Sequence, residues 1–121
     1  SITNADSLTD LSGLDGVPSV TGYVYIANND ELCLGSLKIY GSCDLTALTG
    51  LSNLTTLNGD LTISKNWNLR DISALSSLTT LTGDVTFTNN WDLCDVDDID
   101  ALLGGITVLG TTTISGNDDG C

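Results

Sequence analysis

Three pairs of hydroxyl residues recur along this chain: Thr62 and Ser64, Thr86 and Thr88, Thr113 and Ser115. Each pair brackets one apolar residue, Ile63, Phe87 or Ile114. On an extended strand, positions two apart point to the same side, so each pair displays two hydroxyls while the apolar residue points inward. Repeated in register, the pairs would build a flat array of hydroxyls and methyls. Such an array suits hydrogen-bonded recognition of a protein or glycan. Tyr25, Lys38 and Tyr40 fall in the same columns earlier in the chain, and tyrosine is enriched at interfaces. Plain β-propensity is the alternative account of these threonines and tyrosines.

Two other sets could carry chemistry. Trp67 follows Ile63 at the same offset as Trp91 follows Phe87, so the two share a column. They are expected to stack along the edge, with a sugar platform or a subunit contact as the functional alternative. Beside them runs a column containing Asp92 and Asp119, and Asp95, Asp97, Asp98 and Asp100 form a second acidic cluster. Carboxylates at this spacing repel one another, and calcium would relieve the strain. Asp92, Asp95 and Asp119 are therefore weak calcium candidates. No EF-hand loop or calcium nonapeptide is present, so a solvated acidic surface and no resident cofactor are expected. Histidine is absent, and no nucleophile elbow, phosphate loop or zinc spacing occurs. No enzymatic activity is expected.

The bulk numbers narrow the partners. The 121 residues include 3 basic and 16 acidic side chains, a net charge of −13. Nucleic acid demands the opposite charge, and no apolar run is long enough to cross a membrane. Four cysteines suggest two disulfides and an extracellular or cell-surface location. Cys33–Cys43 would pin an irregular unit, and Cys94–Cys121 would tie down the last one. Free thiols or a metal site are the alternative. Asn53-Leu54-Thr55 is a glycosylation sequon, with an ordinary turn as its alternative.

What positions these residues is a repeat. Ile2, Ile26, Ile39, Ile63, Phe87 and Ile114 are equivalent, with successive spacings of 24, 13, 24, 24 and 27. After each short alternating strand comes an apolar residue at every third position, as in Ile72, Leu75, Leu78 and Leu81. That spacing fits a 3₁₀-like or extended return leg with one row facing the core. A period of 24 marks stacked coils, because one coil alone cannot bury its own leucines. The expected fold is mainly β: a right-handed β-solenoid with one parallel sheet of about six short strands, forming a single unit over residues 1–121.

Leu61-x-Ile63-x-x-Asn66-x-x-Leu69 resembles the core of leucine-rich repeats, and with "LTTLTGDVTFTNN" the unit resembles the L domains of extracellular receptors and their microbial relatives. The resemblance covers nearly the whole chain. It implies leucine-rich-repeat-like coils and a role in recognition, adhesion or scaffolding. The inward asparagines would satisfy backbone groups between neighbouring coils.

Two irregularities stand out. The unit from Ile26 to Ile39 is little more than half the common period, which predicts a notch in the wall. Neither Ser1 nor Cys121 is flanked by an obvious polar cap, which suggests a piece of a longer array or coil-to-coil assembly. The leading expectation is a non-catalytic structural or adhesive module, with protein contacts and head-to-tail self-association into a filament. Ligand recognition on the flat β face is the first alternative. Ice binding is the second, because the Thr-x-Ser/Thr rows resemble those of ice-binding proteins.

Overall fold

The computed structural model describes residues 2–3, 11–22, 24–27 and 47–118, with the backbone alone for Thr3, Tyr25, Ala27, Asp95 and Val96. The described chain is mainly β, and its strands lie in two parallel sheets. One sheet holds β1 (Ile2–Thr3), β3 (Val24–Ala27), β5 (Leu61–Ser64), β7 (Val85–Thr88) and β9 (Thr112–Ser115), side by side in that order. The other holds β2 (Ser19–Thr21), β4 (Thr56–Asn58), β6 (Thr80–Leu81) and β8 (Thr107–Val108). Odd and even strands alternate along the sequence. Each passage from one odd strand to the next therefore visits the second sheet once.

The expectation of one sheet is corrected by this second one, and the sequence of the return legs explains it. Three of the legs open on a 3₁₀ turn, at Ser12–Leu14, Thr49–Leu51 and Ser73–Ser77. Three residues per turn put Leu48 and Leu51, or Ile72, Leu75 and Leu78, on one buried side. A pair of threonines then follows, Thr55-Thr56 or Thr79-Thr80. Threonine is stiff at χ1 and favours extended backbone. The extended backbone must pair its polar groups, and the same segment of the neighbouring leg is at hand. Thr55 N donates to Pro18 O at 2.9 Å, Thr79 N to Thr55 O at 3.0 Å, and Thr107 N to Thr79 O at 3.0 Å.

The register also bears on the surroundings of the short unit. β3 pairs directly with β5, and Ile26 lies opposite Ile63. The stretch between Ile26 and Ile63 is longer than the stretch between Ile63 and Phe87, and Ile39, on which the short unit rests, lies outside the described residues. Residues 28–46, which carry Lys38, Tyr40, Cys33 and Cys43, lie outside the described residues.

The core lies between the two sheets. Leu61, Ile63, Val85 and Phe87 fill it from one side, and Leu54, Leu57, Leu78 and Leu81 from the other. The last return leg differs from the rest. A π-helix over Asp95–Asp100 runs into a short helix, α1 (Ala101–Gly104), where earlier legs carry a 3₁₀ turn. Ile99 anchors it in the core, and the stretch from Phe87 to Ile114 is slightly longer than the stretch from Ile63 to Phe87.

Candidate functional site

Strand register assembles the hydroxyl array. Thr62 pairs with Thr86 and Thr86 with Thr113, so these three form one column behind Tyr25. Ser64, Thr88 and Ser115 form the second, behind Ala27. Parallel strands repeat at about 4.8 Å, so the six side chains make a two-column grid. Thr88 Oγ1 donates to Ser64 Oγ at 3.1 Å. Thr62, Ser64, Thr86 and Thr88 are half-buried, and Thr113 and Ser115 on β9 are exposed. Lys38 and Tyr40, expected in the same columns, lie outside the described residues.

Each end of the grid is fixed by the backbone. β5, β7 and β9 are each followed by a residue in left-handed conformation: Lys65 (φ 54°), Asn89 (φ 58°) and Gly116 (φ 67°). That corner turns the next residue inward, and Asn66, Asn90 and Asn117 are buried. Asn90 Nδ2 donates to Ile63 O and Asn117 Oδ1, each at 3.0 Å, while Asn90 Oδ1 accepts from Asn66 N at 3.1 Å. Asn66 Nδ2 reaches Ile26 O at 3.1 Å, and Asn117 Nδ2 reaches Phe87 O at 2.9 Å. The ladder expected from sequence is thus present and joins neighbouring strands of the five-stranded sheet and the corners that follow them.

At the opposite end a carboxylate ladder does similar work. Asp60 Oδ1 accepts from Asp84 N at 2.8 Å, and Asp84 Oδ1 accepts from Thr111 N at 2.7 Å. The Thr111 amide holds the Asp84 carboxyl below its ordinary value. The glycine before each aspartate permits close stacking. A Cβ on Gly59 would lie 1.4 Å from Gly22 O. The sequence signal for this ladder was "NGD" and "TGD", legible only as a corner until the register was known. A further hydroxyl column was also missed: Ser19, Thr56, Thr80 and Thr107 line up across the four-stranded sheet.

The remaining candidates are distributed around this frame. Trp67 and Trp91 stack, with ring centroids 4.8 Å apart and planes 4° from parallel. Trp91 is 52% exposed. The Trp67 Nε1 atom is buried and has no hydrogen-bond partner among the described residues. Asp118 pairs opposite Cys94, its N donating to Leu93 O at 2.9 Å. Asp92 is engaged by Arg70, at 2.8 Å from NH2 and 3.0 Å from Nε. The Asp95 side chain and Asp119 lie outside the described residues. Cys94 is disulfide-bonded, and its expected partner Cys121 also lies outside them. Asn53 is exposed, and its Nδ2 donates to Asp15 O.

The family model described as Receptor L domain matches residues 1–102. No curated protein and no solved structure matches the chain.

Proposed function

This chain belongs to the receptor L-domain family, and on that premise we propose that it is a non-catalytic recognition module that binds a protein ligand on the outer face of its five-stranded sheet. The observation that carries this reading is the register of Thr62, Thr86 and Thr113 beside Ser64, Thr88 and Ser115. A hydroxyl both donates and accepts, and its neighbouring methyl groups offer apolar contact. The sheet fixes the grid before any ligand arrives, so little side-chain entropy is lost on binding. Family membership supports a ligand-binding role outside the cell. Among the described residues no helix is long and apolar enough to cross a membrane. In the same reading the alternating strands are windings of a right-handed solenoid, and its sheet is the display surface.

One observation favours a second reading, self-association. β9 forms an edge of the sheet among the described residues, with Thr112, Thr113 and Ser115 exposed. An open edge offers a row of unpaired N–H and C=O groups to another strand.

Thr86→Arg separates these readings from a purely structural role. It sets a bulky charge at the centre of the grid and leaves the core untouched. Tested against ligands selected by the wild-type chain from a panel of purified ectodomains, it should weaken binding at least about tenfold, or about 1.4 kcal/mol. Thr107→Arg, on the other sheet, should bind normally. Undiminished binding by Thr86→Arg, or equal loss in both variants, would sink the face assignment.

A further inference from the structure

We propose that the groove between the 3₁₀ turn Ser73–Ser77 and the helical segment formed by Asp95–Asp100 and α1 is a docking pocket for an arginine or lysine side chain of a protein partner. None of its residues belongs to the five-stranded sheet, so it is independent of the hydroxyl grid. The groove encloses about 280 Å³. Ile72, Ala101 and Leu102 line it together with Asp71, Asp97 and Asp98.

Its origin lies in the change of helix type. Earlier return legs stack 3₁₀ turn on 3₁₀ turn in backbone contact, and a Cβ on Gly50 would lie 1.3 Å from Leu11 O. The last leg carries a π-helix instead. A π-helix closes i→i+5 hydrogen bonds and is wider than a 3₁₀ turn. It cannot nest as closely on Ser73–Ser77, and a space remains between them.

The lining selects the occupant. An arginine or lysine has an apolar stem and a charged head. The stem fits against Ile72 and Leu102, and the head meets the carboxylates. Asp71 spends Oδ1 on Ser73 N at 2.8 Å, and Asp98 spends Oδ2 on Cys94 N at 3.2 Å. A carboxylate has about four acceptor positions, so both retain capacity. Among the described residues no basic side chain lines the groove. Arg70 is committed to Asp92, and the whole chain has only 3 basic residues against 16 acidic ones. A partner supplies the complementary charge. A bare metal ion would find no ligands in the apolar floor, whereas a long basic side chain needs that floor.

The test is an NMR titration of the labelled chain with the peptide acetyl-Gly-Arg-Gly-amide, beside the same peptide carrying citrulline. The arginine peptide should give saturable amide shifts at Ile72, Ala101 and Leu102, and the citrulline peptide none there. Asp97→Asn should weaken the response at least fivefold. Asp15→Asn, which removes the same charge outside the groove, should leave it unchanged. Shifts spread evenly over the exposed aspartates, equal shifts with citrulline, or an unaffected Asp97→Asn variant would overturn the proposal. Loss of ligand binding by Thr86→Arg bears on the sheet face and leaves this result untouched.

Discussion

Asn90 shows how much one side chain holds together in this fold. Its amide serves the Ile63 carbonyl and Asn117, and its oxygen accepts the buried Asn66 N–H. Asn90→Ala leaves those buried groups without partners, at about 1–3 kcal/mol for each unsatisfied group. Urea unfolding should show a loss of about 3 kcal/mol with an unchanged slope. Asp84 gives a pH-dependent counterpart. Its carboxyl is held below the ordinary 3.8 by the Thr111 backbone amide. A depressed folded value stabilises above the ordinary one, and the stabilisation disappears as pH falls through the folded value. The stability gap between wild type and Asp84→Ala should be full near about pH 6 and close below about pH 4. A gap that persists at low pH would assign the effect to something other than the carboxylate. The asparagines were legible in sequence because they recur at a fixed offset after each strand's central apolar residue. The aspartates were not, because their role depends on which backbone amide the neighbouring strand corner brings to them.

The elements divide in the same way. Period-two alternation marked β5, β7 and β9, and period-three leucines marked the return legs. The leucine spacing alone could not separate a 3₁₀ turn from an extended run, and the three legs before the last contain both. Thr55-Thr56 and Thr79-Thr80 make the difference, because β-branched residues shift the leg into strand and create the second sheet. The π-helix after Cys94 breaks the period, and nothing local in "CDVDDIDALLGG" separates it from an acidic loop or an α-helix. Close stacking of the strand corners yields a sharp contrast between two glycines. Gly59→Ala drives a methyl into the Gly22 backbone and should abolish cooperative folding or lower the urea midpoint severely. Gly104→Ala, with nothing within 4 Å, should be neutral or gain up to about 1 kcal/mol from helix propensity. Equal behaviour of the two variants would refute the stacked corners.

Across the whole molecule, the repeat period made the parallel β architecture legible. The short spacing from Ile26 to Ile39 suggested a coil of its own, while Ile26 itself pairs with Ile63. Local pattern cannot reveal such pairing, because a strand-like segment declares its alternation but not its neighbour. Among the described residues the proposed recognition face consists of the Thr and Ser columns on β5, β7 and β9, with Tyr25 in register behind them. The central claim is that this face meets the ligand. It is tested most directly by replacing Thr86, and separately Thr107, with a photo-reactive benzoylphenylalanine and irradiating each chain with its selected ligand. The account predicts a cross-link from position 86 and none from position 107. A cross-link from position 107 alone, or from neither position while binding persists, would contradict it.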